Sequence, residues 1–210
     1  MKLAIIGPPG AGKGTQADIL AQKLGDPHLS VGEILRRAIK DRTPLGIKIQ
    51  SIIEAGFLAP DEVITEVVKE RISQEDCKTG YIFDGMPRTI GQASALDVHD
   101  IHTDHVISLE VPDEEVISRL SLRQICGDCG KTFHPTANPP EKDGLCDRCG
   151  TELTFRKDDD ADTIRTRLKI FHEQAGPLKE YYQQQGKLRV IDGSGTITDT
   201  KEKVFNLLGL

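Results

Sequence analysis

Apolar residues fall in short continuous runs at Lys2–Ile6, Tyr81–Phe83, His105–Leu109 and Leu188–Ile191. Runs of this length, bounded by turn residues, predict strands buried on both faces. Between them the apolar positions follow a helical period, over about 13–24, 31–54, 61–73, 90–98, 113–122, 160–185 and 197–208. The clearest stripe is Ile164, Leu168, Phe171, Ala175, Leu178 and Tyr182, one face of a long helix, with Arg165 and Arg167 off it. Gly176-Pro177 is expected to kink that helix and Gly186 to stop it. Strand and helix in alternation predict an α/β fold, with a parallel sheet covered by helices on both faces.

Two stretches break the alternation. Residues 30–59 hold two helical patterns with no strand between them and end at Ala59-Pro60. Residues 123–159 hold two Cys-x-x-Cys units, the turn Asn138-Pro139-Pro140 and a charged exit, Arg156-Lys157-Asp158-Asp159-Asp160. Each reads as an excursion from one core, and 210 residues suffice for a single domain with such insertions.

The charge balance narrows the function classes. The 27 Lys+Arg against 33 Asp+Glu give a net charge of -6, which disfavours nucleic acid and membrane surfaces as partners, both being polyanions. Aromatics at 4%, with no Trp, disfavour a base-stacking platform. The apolar start before Gly7-Pro8-Pro9 is too short for a signal peptide, and no later stretch is long enough to span a membrane. A cytoplasmic monomer is the expectation.

Gly7-Pro8-Pro9-Gly10-Ala11-Gly12-Lys13-Gly14-Thr15 lies between the first strand and the first helix. Phosphate binding at such a place needs inward-pointing backbone N–H groups, free of side chains, plus the positive end of a helix. Lys13 then adds a point charge for the β- and γ-phosphates. The competing reading is a plain Gly/Pro-rich turn. Gly14 stands where this loop type usually has Ser or Thr, so the hydroxyl is displaced to Thr15. Asp84, ending the strand Tyr81-Ile82-Phe83, is the candidate to orient Mg²⁺ directly or through its waters.

Four of the five cysteines form Cys126-x2-Cys129 and Cys146-x2-Cys149, separated by sixteen residues. That is zinc-ribbon spacing, and four thiolates leave no open position, so the expected Zn²⁺ is structural. Iron in the same site and free thiols are the alternatives. Gly127, Gly130, Gly144 and Gly150 suit the tight turns around such a site. Cys77 reads as a small half-buried residue, and His99-x2-His102-x2-His105 with its flanking Asp97, Asp100 and Asp104 as a solvated connection.

In order along the chain, Gly7–Thr15, Asp84-Gly85-Met86-Pro87-Arg88-Thr89 and Arg156-Lys157-Asp158-Asp159 resemble the signature segments of the adenylate kinase family, in its long-lid bacterial form. The resemblance implies a P-loop NTPase-like core of residues 1–29, 60–121 and 160–210. It implies a helical AMP-binding insertion at 30–59 and a zinc-ribbon-like lid at 122–159. The implied reaction is reversible, Mg²⁺-dependent transfer of the ATP γ-phosphoryl group to AMP, giving two ADP. Lys13, Arg123, Arg156 and Arg167 would surround the transferring group, with Arg88 and Arg36 on the AMP phosphate. Gly10, Ala11, Gly12, Gly14 and Thr15 would wrap the ATP phosphates, and Arg119, Thr132, Phe133 and Gly195 would flank its base and ribose. Gln92 would read the adenine edge of AMP. Val31, Gly56, Phe57, Leu58, Ala59, Gly85, Met86 and Pro87 would line that acceptor pocket, which Arg156 and Arg167 would also serve. Arg37 and Arg165 remain solvated helix residues in this reading.

Three positions depart from the family pattern. Val31 replaces a usual threonine, Met86 a usual aromatic residue, and Leu122-Arg123-Gln124 carries one arginine fewer. The competing functions are therefore a nucleoside monophosphate kinase with another base preference and, in a different class, a nucleotide-switched zinc-ribbon binding module. A lid that closes only over both nucleotides would keep water from the γ-phosphate.

Overall fold

In a computed structural model, which describes residues 1–210, the chain begins β1 (Lys2–Ile6), α1 (Lys13–Leu24), β2 (His28–Ser30), α2 (Val31–Lys40), α3 (Pro44–Glu54) and α4 (Asp61–Ile72). It continues β3 (Tyr81–Asp84), α5 (Ile90–Val98), β4 (His105–Glu110) and α6 (Asp113–Ser121), then three short strands, β5 (Gln124–Cys126), β6 (Thr132–Phe133) and β7 (Leu153–Phe155). It ends α7 (Ala161–Gln184), β8 (Leu188–Asp192) and α8 (Ile197–Leu208). β1, β2, β3, β4 and β8 form one parallel sheet in the order β2-β3-β1-β4-β8.

The alternation of side chains along β1 divides the interior. Ala4 and Ile6 join a core of 20 buried residues that includes Phe83, Val106 and Tyr182. Leu3 and Ile5 join a core of 15 with Ile82, Ile107, Leu168 and Val204. Each face of the sheet thus has its own helical cover, as a parallel sheet requires.

The excursion at 30–59 is a helical hairpin. The two helical patterns expected there meet at Asp41-Arg42-Thr43, where Arg42 takes a φ of 53° and the Thr43 side chain caps α3 by accepting from the Gly46 N–H. A Cβ at Gly46 would lie 2.0 Å from the Ala38 carbonyl oxygen, so only glycine lets the two helices cross there. The excursion at 122–159 carries a separate antiparallel sheet, β6-β5-β7, over a core of only four buried residues, Cys126, Phe133, Cys146 and Leu153.

α7 runs through Gly176-Pro177 as one helix, both residues lying on its exposed side. Gly186 at φ 69° follows its end. Cys77 is fully buried at 3% exposure, where half-burial was expected. No helix is long and apolar enough to cross a membrane.

Candidate functional site

The glycine loop leaves β1 at the carboxyl edge of the sheet, where nucleotides bind in open α/β folds. Its glycines are required by position. A Cβ on Gly7, at φ 143°, would lie 2.5 Å from the Leu109 carbonyl oxygen. α3, α5, α7 and α8 all have side-chain caps from Thr43, Thr89, Asp160 and Thr196. α1, like α2, α4 and α6, has no side-chain cap; it starts at Gly12 (φ 87°) in the glycine loop, which leaves its first-turn N–H groups available to an anion there. The glycine at 14 also has a local cause: a Cβ there would stand 3.1 Å from Asp84 Oδ2.

Lys13 donates to the Pro8 carbonyl oxygen at 2.6 Å. Burial pulls its pKa down to about 7, and Arg88, Arg167 and Arg123 act in the same direction against Asp84. For Asp84, burial favours the neutral carboxyl, but His28, Lys13 and Arg88 outweigh it and hold the group at about 2. His28 is the counterpart. Burial opposes its charge, yet Asp18 at 2.7 Å and Asp84 at 3.4 Å raise it to about 10.

The arginines approach from separate elements. Arg123, just after α6, donates to both Asp159 oxygens, at 2.8 and 2.7 Å. Arg167 of α7 donates to Asp159 at 2.9 Å and pairs with Asp158 at 3.2 Å. Arg88 donates from Nε to the Gly85 carbonyl oxygen at 2.7 Å. Burial lowers the pKa values of Arg36 and Arg88, and those of Arg123 and Arg156 to about 10, the latter with Arg36 repulsion added. Arg156 Nε is buried with no hydrogen-bond partner.

Two clefts meet at these cations. The loop-side cleft is lined by Gly10, Ala11, Gly12, Gly14, Thr15 and Asp84, with Arg119, Arg123, Thr132, Phe133, Arg156 and Gly195. Arg119 ties α6 to the loop before α8 by donating to the Gly193 and Gly195 carbonyls, and pairs with Glu115. Phe133 borders the cleft, but its ring packs inward, at 2% exposure. The second cleft is lined by Val31, Gly56, Phe57, Leu58, Ala59, Gly85, Met86, Pro87 and Gln92. Lys13, Arg36, Arg88 and Arg167 line both clefts; Arg123 and Arg156 line only the first.

Sequence reasoning overlooked several members. His28 sits in a three-residue strand with no apolar run to announce it. Phe171 and Ala175 carry the helical period of core residues yet line the second cleft. Arg165 pairs with Asp162 at 71% exposure, as expected of a solvated residue. Arg37 pairs with Asp41 but also donates to the Asp128 carbonyl oxygen, and Lys40 donates to that of Gly127 at 2.7 Å. α2 thus touches the first Cys-x-x-Cys turn.

The four thiols, Cys126, Cys129, Cys146 and Cys149, lie within 4.8 Å of one another. Cys126–Cys149 and Cys129–Cys146 are 3.4 and 3.5 Å apart. His99, His102 and His105 form no such group with their acidic neighbours.

Two anion-receiving clefts that share their cations suit one task, moving a phosphoryl group between two nucleotides, and on a P-loop core that defines a nucleotide-phosphorylating kinase. The family model described as "Adenylate kinase" matches residues 5–187. Adenylate kinases of Caldicellulosiruptor bescii and Carboxydothermus hydrogenoformans are 46% and 47% identical, covering 100% and 99% of both chains. That of Clostridium perfringens is 42% identical over 100% of this chain and 99% of its own. The chain belongs to the adenylate kinase family.

Proposed function

We propose that ATP occupies the loop-side cleft and AMP the second, and that the family reaction, ATP and AMP to two ADP, takes place at the cations between them. The observation that carries this reading is that Lys13, Arg36, Arg88 and Arg167 line both clefts. Transfer through a loose transition state spreads charge over the three equatorial oxygens, and fixed cations answer it without covalent chemistry. The α1 N-terminus and Lys13 hold the donor phosphates, while Arg88 and Arg36 hold the AMP phosphate in line. Arg123, Arg156 and Arg167 converge on the transferring group. Arg156 Nε, buried and unpartnered, is suited to an oxygen arriving there.

Asp84 remains ionised under its partners and borders the donor phosphates, which fits magnesium held directly or through its waters. The metal would supply charge neutralisation on the phosphate oxygens. The four thiols fit a structural zinc. Ligands about 2.3 Å from a tetrahedral ion stand about 3.8 Å from one another, and these are already nearly gathered to that spacing. Residues 122–159 then act as a stapled lid and 30–59 as the acceptor insertion, and their contact through Lys40 and Gly127 supports closure of one upon the other. We infer a monomer in the cytoplasm, with ATP, AMP and ADP as its partners.

Val31 favours a second reading, another base in the acceptor cleft, since no hydroxyl stands there. ADP formation from ATP plus AMP, GMP, CMP or UMP separates the two. Preference for a base other than adenine would replace the first choice. Lys13→Ala and Arg88→Ala should each abolish most activity; unchanged rates in both would overturn the site.

A further inference from the structure

Part of the acceptor cleft's wall is made of side chains without hydrogen-bonding groups, among them Val31, Leu58 and Met86. Gln92 lines it too, at 2% exposure, and its amide is held from both ends. Nε2 donates to Asp61 Oδ1 at 2.9 Å, and Oε1 accepts from the Arg88 backbone N–H at 2.8 Å. A carboxylate only accepts and a backbone N–H only donates, so the amide has one orientation. Asp61 is itself fixed as the first residue of α4, its other oxygen accepting from Thr89 Oγ1 at 2.9 Å. It lies so close to α5 that a Cβ on Gly91 would be 2.3 Å from Oδ2.

An amide in this state keeps one N–H and one lone pair for a ligand. Those match a base edge carrying an acceptor beside an amino group, as in 6-aminopurines. A 6-oxopurine offers the reverse pair, which a freely turning glutamine would accept equally well. We propose that Asp61 is a positioning residue that biases the choice of acceptor base, by adding to the Arg88 backbone N–H a second and stronger penalty on the turned orientation of Gln92. The proposal rests on the second cleft being the AMP site, and it assigns the selection to a residue that need not touch the nucleotide.

Inosine monophosphate is the sharpest probe, because it differs from AMP only at that edge. The measurement is kcat/KM for AMP and for inosine monophosphate, with ATP as donor, in the full-length protein. Asp61→Asn keeps the volume but offers Gln92 either a donor or an acceptor, so that only the Arg88 backbone N–H still opposes the turned amide. The inosine-to-adenosine ratio should rise about tenfold, the difference between a charge-assisted and a neutral hydrogen bond, with KM for ATP unchanged. Gly91→Ala, which displaces the carboxylate without altering it, should move the ratio the same way, so a poorly folding Asp61 variant leaves the test intact. Equal losses for both acceptors in both variants mean a merely structural role and overturn the proposal. Gln92→Ala separates it from the site reading. If that variant raises the ratio toward one while the other two leave it fixed, only the lock is wrong. If Gln92→Ala leaves the ratio fixed as well, the second cleft is not where the base is read.

Discussion

Lys13 should take up a proton when ATP binds. In the free protein its ammonium is opposed first by burial and then by Arg88, Arg167 and Arg123, which together bring its pKa to about 7. At pH 8 about one molecule in ten then carries the charge. Phosphate oxygens beside Nζ reverse the local balance, and the group returns toward the ordinary 10.5. Binding at pH 8 should therefore absorb about 0.9 proton per ATP, falling to about half a proton at pH 7. By the same linkage ATP affinity weakens about fivefold from pH 7 to 8 and nearly tenfold from 8 to 9. Calorimetric titration in two buffers of different ionisation enthalpy reads the proton count directly, and at pH 8 the nucleotide itself contributes little. In Lys13→Met the uptake should vanish and the affinity, though weaker, should become flat with pH. An uptake below about 0.2 proton at pH 8 would refute the assignment of a desolvated, anion-dependent ammonium.

Other consequences follow from neighbouring groups. His28 has a folded pKa of about 10 against an ordinary 6.5, so its stabilisation is complete below that ordinary value and is lost as pH rises through about 10. Urea unfolding should find His28→Gln costlier at pH 6 than at pH 10.5; an equal cost at both would remove the ion-pair account. Asp159 is 4% exposed between Arg123 and Arg167, and Asp159→Asn should destabilise by about 3 kcal/mol and lower kcat, because buried Arg123 loses its partner and Arg167 keeps only Asp158. A change in stability under about 0.5 kcal/mol would mean those arginines find other partners. Chelation or Cys146→Ser should speed amide exchange through 122–159 and leave β1, β3 and β4 protected, since the lid core has only four buried residues. A protein that binds less than about half an equivalent of zinc would show that the thiols need no metal.

The parts legible in the sequence are those whose partners are contiguous. The place of Gly7–Thr15 between a strand and a helix is legible because the three follow directly, and the gathering of the four cysteines because their spacing is itself the geometry. β2 was lost because His28-Leu29-Ser30 is too short to show a period and is defined by pairing with β3. Phe171 and Ala175 resemble core residues because a ligand cleft walled by apolar side chains imposes the same helical period as a core. Asp61 was invisible for a different reason: its work is done on Gln92, 31 residues away, and a lone acidic residue opening a helix already has a local explanation. The position of Gly14 beside Asp84 likewise joins distant parts of the chain, which no local pattern announces.

The chain's net charge of -6 bears on how such a site can exist between substrates. Lys13, His28, Arg36, Arg88, Arg123, Arg156 and Arg167 cluster against Asp18, Glu33, Asp84, Asp158 and Asp159, seven basic groups to five carboxylates. With no carboxylates the cluster would oppose folding by mutual repulsion; with full pairing it would have no capacity left for phosphate. The observed balance lies between these limits. Asp159 occupies Arg123 and Arg167, whereas Arg156 Nε has no partner and Lys13 is close to losing its proton. Nucleotide binding must therefore supply negative charge to Lys13 and Arg156 first, and compete with Asp158 and Asp159 for the remaining arginines. The carboxylates limit the cost of the free site and moderate phosphate affinity, which favours release of the products in either direction of a reversible transfer.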